Sequence, residues 1–252
     1  MLMQDKQKVI NTSKTIYVFS DLHIGFSNED TNKKIIKYLN KLKDENVIIL
    51  NGDTLEIWKY DDFTVTPEEN IKKIQKIIDF YEGLDELISH DNVLLILGNH
   101  DFGLRLIGNN LREVIIENGK AKCFITHGNN CSEETSFETL EKSEGLIYKF
   151  FAWLSSKISI LLKPFMQVKK SEKMFNTLYD KFSDSEDDII KEFLKHSEND
   201  VVILGHTHKF DYKKFPKSIY INSGNFKMDD NYLKIEKDKI FLGEGNKWIK
   251  WS

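Results

Sequence analysis

From Thr15 to His23 the chain reads TIYVFSDLH, a run of β-branched and aromatic residues that stops at a polar triplet, Asp21-Leu22-His23. A short apolar run of this kind reads as a buried strand. A polar block directly behind a strand end is where a rigid scaffold can hold side chains for chemistry. The pattern returns in a fixed order as Gly52-Asp53, Gly98-Asn99-His100-Asp101, His127-Gly128 and Gly205-His206-Thr207-His208, and four of the five blocks directly follow apolar, strand-like runs. Together they offer two Asp, one Asn and four His as ligands, enough for two metal ions rather than one.

That donor set narrows the metal. Hard cations prefer carboxylate and amide oxygens, whereas borderline ones also accept imidazole nitrogen, so a mixed Asp/Asn/His set points to Mn, Fe, Zn, Co or Ni rather than Ca. The absence of thiolates in the blocks argues against a structural zinc site. Two ions about 3.5 to 4 Å apart need one bridging carboxylate and would acidify a shared water into a hydroxide nucleophile. Asp53 is the candidate bridge.

Working outward, Asn46 to Asn51, Val93 to Gly98, Lys122 to Thr126 and Val201 to Leu204 repeat the strand signature. Thr31 to Lys43 and Pro67 to Ser89 carry apolar residues three and four apart and read as helices packing on a sheet, with Pro67 opening the second and Glu68 and Glu69 in its first turn. From Ser218 onward closely spaced strands, Ser218 to Asn222, Asn231 to Glu236 and Lys239 to Leu242, read as a closing β-meander. The core is thus expected over 1–130 and 201–252, interrupted by a helical cap over 131–200. Within the cap, Ile147, Phe150, Phe151, Leu154, Ile158, Leu161 and Phe165 form a stripe at helical spacing, with Trp153 and Ile160 near the opposite face. A helix buried between two layers would show this, and so would a lid offering apolar surface to a lipid-like substrate or a membrane, flanked by Lys157, Lys163, Lys169 and Lys170.

Composition bounds the partners. The 252 residues carry 36 Lys+Arg against 40 Asp+Glu, a net charge of -4, so no global basic field calls for nucleic acid. Cys123 and Cys131 form no metal or disulfide framework and are expected as free thiols in a reducing compartment. No apolar leader precedes the first strand and no run of about 18 apolar residues occurs, which makes a cytoplasmic location the expectation, with peripheral membrane contact through the cap.

DLH, GD, GNHD, HG and GHTH in this order resemble the calcineurin-like metallophosphoesterase superfamily. The resemblance implies an α/β fold, a four-layer αββα sandwich with a two-metal site at the strand ends. It implies that Asp21, His23, Asp53 and His208 hold the first ion and Asp53, Asn99, His127 and His206 the second; of the metals the donor set admits, manganese is the one expected. It also implies that His100 contacts the phosphate and protonates the leaving alkoxide, a step worth about 100 to 10,000-fold. Glu56, three residues after Asp53, matches the carboxylate that orients this histidine in several members, where a solvated loop glutamate is the alternative. Asp101 is expected to hydrogen-bond around the site rather than act directly. Asn99, His100, Arg105 and Asn129 are the candidate substrate contacts, although Arg105 and Asn129 also suit ordinary surface positions.

The fold does not choose the phosphoester. GDTLEIW, from Gly52, resembles a block of the UDP-2,3-diacylglucosamine hydrolase group, and the cap falls where that group carries its acyl-chain cap; at His100 the chain departs from the Arg that many of that group have. A UDP-linked acylated sugar or similar lipid pyrophosphate is therefore the leading substrate. A smaller or nucleotide phosphoester is the alternative within the class. From another class, the chain would be a catalytically idle metal-binding scaffold.

Overall fold

A computed structural model describes residues 6–25, 28–57, 66–108, 111–118, 121–128, 200–243 and 248–250. The expected cap and Asn129 lie outside the described residues, apart from Asp200, whose main chain already pairs with Lys122 and Ile219 of the core.

Among the described residues, twelve strands form two six-stranded sheets. In the first, β2 (Ile16–Phe19), β3 (Val47–Asn51) and β4 (Val93–Ile96) run parallel, and β10 (Leu233–Glu236), β11 (Lys239–Leu242) and β12 (Trp248–Lys250) extend it as an antiparallel meander from β2. In the second, β6 (Ala121–Thr126), β7 (Val201–Leu204) and β9 (Ile219–Asn222) run parallel. It is flanked by β5 (Leu111–Asn118) and β1 (Lys6–Ile10) on one side and by β8 (Asp211–Lys214) on the other.

The continuous apolar runs follow from burial on both faces, the usual condition of parallel strands between layers. Ile16 and Val18, Ile49, and Leu94 and Ile96 face the second sheet, meeting Val114, Ile116, Cys123, Ile125, Val201, Ile203 and Ile221. The alternate positions Phe19, Ile48, Leu50, Val93 and Leu95 face α1 (Glu29–Leu42), α2 (Pro67–Phe80) and α3 (Leu84–Ile88) through Ile36, Leu39, Ile74, Ile78, Leu84 and Leu87. Among the described residues the helices thus cover one sheet, and the outer face of the other presents buried Val202, Leu204 and Tyr220.

Two expectations are adjusted. The helix expected over Pro67 to Ser89 starts as read, with Thr66 and Glu69 closing a capping box on either side of Pro67, but it breaks after Phe80. Gly83 adopts φ 78°, a left-handed conformation that a continuing helix excludes, and the chain restarts as α3. The closing strands do not form one meander, because β9 belongs to the second sheet and the chain crosses to the first before β10. Strands β1, β5, β8 and β12 were not legible as apolar runs; each carries charged or amide residues, and β1, β8 and β12 lie at sheet edges.

Candidate metal centre

All five polar blocks follow strands, those of β2, β3 and β4 in one sheet and of β6 and β7 in the other. Because the strands within each set are parallel, their following loops emerge on the same edge. The ladder between β2 and β3 continues past both strands: Asp21 N–H donates to Gly52 O (3.2 Å), His23 N–H to Asp53 O (2.9 Å) and Ile24 N–H to Thr54 O (2.9 Å). Gly205 N–H donates to His127 O (2.9 Å), which ties the loops of the second sheet together in the same way.

The third loop is fastened by Asp101. Its buried carboxylate accepts the Gly98 amide (2.6 Å) and the Thr54 amide (2.7 Å), so one side chain staples the third loop to the second. This is the supporting hydrogen-bond role expected for it. Gly98 is required by close approach, since a Cβ there would collide with Asp53 Oδ1 and the Asp53 amide nitrogen.

These loops are strained. Asp21 (φ 58°), His23 (43°), Asp53 (50°), His206 (70°) and His208 (58°) all occupy the left-handed region. Each such residue costs about 1 to 2 kcal/mol, so the surrounding hydrogen bonds hold the backbone where local preference would not leave it. The cost falls on the residues whose side chains converge.

Potential ligand atoms of Asp21, His23, Asp53 and His208 lie within 4.8 Å of one another, as do those of Asp53, His127 and His206. Asp53 is common to both groups, the position a bridging carboxylate needs. It is buried, with Oδ1 accepting the His100 amide (2.8 Å) and Oδ2 lying 3.3 Å from His127 Nε2. Asn99 Oδ1 and His127 Nε2 are among the buried polar atoms with no aligned hydrogen-bond partner, as expected of atoms that a cation would satisfy. His127 Nδ1 donates to Asn51 O (2.8 Å), which leaves the Nε2 lone pair for coordination. The nitrogen and oxygen donors therefore fit two borderline divalent cations.

Beside these groups, His100 Nδ1 lies 3.0 and 3.1 Å from the two oxygens of the buried Glu56 carboxylate, and His100 Nε2 lies 3.9 Å from Asp53 Oδ2. Glu56 is no solvated loop residue. Its Oε2 also lies 2.8 Å from His23 Nδ1.

The electrostatics follow from packing carboxylates and imidazoles out of water. Burial alone would raise the Glu56 carboxyl, but hydrogen bonds from His100 and His23 outweigh it and hold the group well below its usual range. Burial would lower His100 and His127; Glu56 and Asp53 raise the first to about 9, and Asp53 raises the second to about 10. His208 is raised too, where Asp21 outweighs burial, and Asp53 lies well below the carboxylate norm, where His127 outweighs burial. Asp101 moves the other way, to about 7, because burial and then the Asp53 charge disfavour its ionised form. The metal-free centre therefore stores positive charge on imidazoles that bound cations would displace.

The structure brings together Asp21, His23, Asp53, His127, His206 and His208, with Asn99 half-buried in the adjoining loop. Arg105 is carried a turn beyond Asp101 on a 3₁₀ helix, Phe102–Ile107, that packs against α2. Sequence reasoning missed Ser20, whose hydroxyl contacts both Asp21 Oδ2 and Asn51 O, and Lys227, whose Nζ donates to His23 O (2.8 Å). Ser20 had a visible signal as the polar residue ending an apolar strand; Lys227 had none.

A family model described as calcineurin-like phosphoesterase matches residues 14–210. No curated protein matches the chain at a significant level. Similar solved structures include the phosphoesterase YfcE from E. coli, at 12% identity, covering 94% of this chain and 100% of that one with a TM-score of 0.42. Others are a dimetal phosphatase from Danio rerio (11% identity, 95% and 99% covered, TM-score 0.44) and Vps29 from Chaetomium thermophilum (11%, 95% and 97%, TM-score 0.42). With the family model spanning most of its length and the motif loops converging on one edge, the chain belongs to the calcineurin-like phosphoesterase family.

Proposed function

We propose that the protein is a two-metal phosphohydrolase. The observation that carries this reading is the place of Asp53, shared by two groups of ligand atoms and flanked by the His100–Glu56 pair. Asp21, His23, Asp53 and His208 would hold one ion and Asp53, Asn99, His127 and His206 the other, with manganese the preferred metal. Such ions supply Lewis acidity at the phosphoryl oxygens and lower the pKa of an attacking water. Glu56 holds the Nδ1 proton of His100, so that Nε2 is the nitrogen left for the substrate. The attacking water gives up one proton to solvent, its oxygen bonds to phosphorus as the bond to the leaving oxygen breaks, and the proton on His100 Nε2 passes to that leaving oxygen. In the metal-free protein the Glu56 and Asp53 carboxylates raise this ring to about 9, which favours its protonated form.

For the substrate, the GDTLEIW block and the length of chain between His127-Gly128 and Gly205 support a UDP-linked acylated sugar or similar lipid pyrophosphate, with the inserted segment taking the acyl chains and touching the membrane surface. His100, where that group often has Arg, favours the second reading, a smaller phosphomonoester or phosphodiester.

Purified protein supplied with Mn²⁺ is expected to hydrolyse an aryl phosphate or bis-aryl phosphodiester, and Asp53→Ala to bring the rate to background. Activity that survives both chelation and this substitution would remove the two-metal reading. Rates on a phosphomonoester, a phosphodiester and a UDP-linked acyl sugar, compared side by side, choose the substrate class; a rate indifferent to the acyl chains rejects the lipid assignment.

A further inference from the structure

Glu56 touches more than the acid. Its Oε2 is 2.8 Å from His23 Nδ1 and 3.0 Å from His100 Nδ1, and the two rings meet edge to face with centroids 4.8 Å apart. Both separations are hydrogen-bond lengths. In each histidine the ring nitrogen facing Glu56 is Nδ1, so a carboxylate, which only accepts, places a proton on Nδ1 of both rings. The Nε2 atoms are then turned elsewhere: that of His23 lies 3.2 Å from His208 Nε2 and 4.0 Å from Asp21 Oδ1, among the first group of ligands, while that of His100 lies 3.9 Å from Asp53 Oδ2.

We propose that Glu56 is a shared positioning residue: a single carboxylate fixes the tautomer of a first-site ligand, His23, together with that of His100, so that filling the first site and orienting the acid are coupled. The proposal rests on the two-metal reading above. Its physical basis is that the carboxylate cannot follow one ring without changing its distance to the other. Glu56 itself has little freedom to move, because its amide donates to Ile24 O (2.8 Å) and its side chain is buried. The family resemblance implies an orienter for His100 alone; the bond to His23 adds a demand on metal affinity that an orienter of the acid would not make.

Two measurements test this. In zinc-loaded, ¹⁵N-labelled wild type, His23 and His100 are both expected to carry their proton on Nδ1, seen as slowly exchanging imidazole protons; an Nε2-protonated tautomer at His23 overturns the proposal without any variant. In Glu56→Gln, first-ion affinity for Mn²⁺ is expected to fall about 10 to 100-fold, the range for losing a partner of a metal-ligating histidine, together with kcat. His100→Ala should lower kcat with both ion affinities within about twofold of wild type, and Glu56→Asp should recover part of the affinity lost in Glu56→Gln. Unchanged Mn²⁺ affinity in Glu56→Gln, with kcat reduced, overturns the sharing while leaving the two-metal reading intact. Wild type that binds no divalent cation overturns both.

Discussion

On one side of Asp53 the imidazole of His127 is held by main chain at both ends: Nδ1 donates to Asn51 O at 2.8 Å, and its own carbonyl accepts the Gly205 amide at 2.9 Å. On the other side, the corresponding atoms of His23 are held by side chains, Nδ1 by Glu56 Oε2 at 2.8 Å and the carbonyl by Lys227 Nζ at 2.8 Å. The distances are nearly equal and the consequences are not. A backbone carbonyl at a strand end persists through any substitution that keeps the strand, so the His127 side is built into the sheets. The His23 side depends on two replaceable charged groups, one of which also serves the acid. On the proposed two-metal reading, the second ion site would be the structural anchor, and the first the side on which affinity and turnover would be tuned together.

The largest expected effect comes from the anchored side. His127→Ala should reduce Mn²⁺ binding from two ions to one and bring phosphoesterase activity to background, read by equilibrium metal titration beside initial rates. Loss of both ions would show that the two sides are not separable and would break the contrast.

On the tunable side, His100→Ala should lower kcat by about 100 to 10,000-fold while leaving metal content unchanged. The pH profile checks the assignment. The folded pKa of His100 is raised from 6.5 to about 9, so the acid is protonated below that value and kcat falls as pH rises through it. Bound cations would pull it down, placing the alkaline limb at or below about pH 9. By the same sign, the charged ring contributes stability that is fully present below about pH 6.5 and is lost as pH rises through about 9 in the metal-free protein. An alkaline limb that persists unchanged in His100→Ala would assign it to another group.

The smallest effect belongs to Lys227. Lys227→Met removes the side-chain donor to His23 O, a partly exposed bond worth about 1 kcal/mol, so first-ion affinity should weaken by about fivefold with the second unchanged. Equal weakening at both sites would show that Lys227 acts through overall stability rather than through His23.

Much of this site was legible in advance because its parts obey local rules. Apolar runs end where strands end, and Asp21, Asp53, Asn99, His127, His206 and His208 stand directly behind them. Edge strands such as β1 and β8 were not legible, since half-exposed strands carry polar residues and lose the run that marks a buried one. The break at Gly83 was visible as a glycine, but its left-handed geometry became evident only with α3 packed against the sheet.

The sequence alone determined the chemistry on offer: which ligand types occur, in what order, and that four of the five blocks follow strand-like runs. Tertiary structure decided how they are shared. Ser20 bridging Asp21 to the end of β3, Asp101 stapling two loops, Lys227 reaching a carbonyl 204 positions away, and Glu56 serving two histidines all join residues from separate loops. Local periodicity records which face a side chain takes. It carries no record of which loop lies opposite, because that is set by parallel strands packing side by side and bringing distant loops to one edge of two sheets.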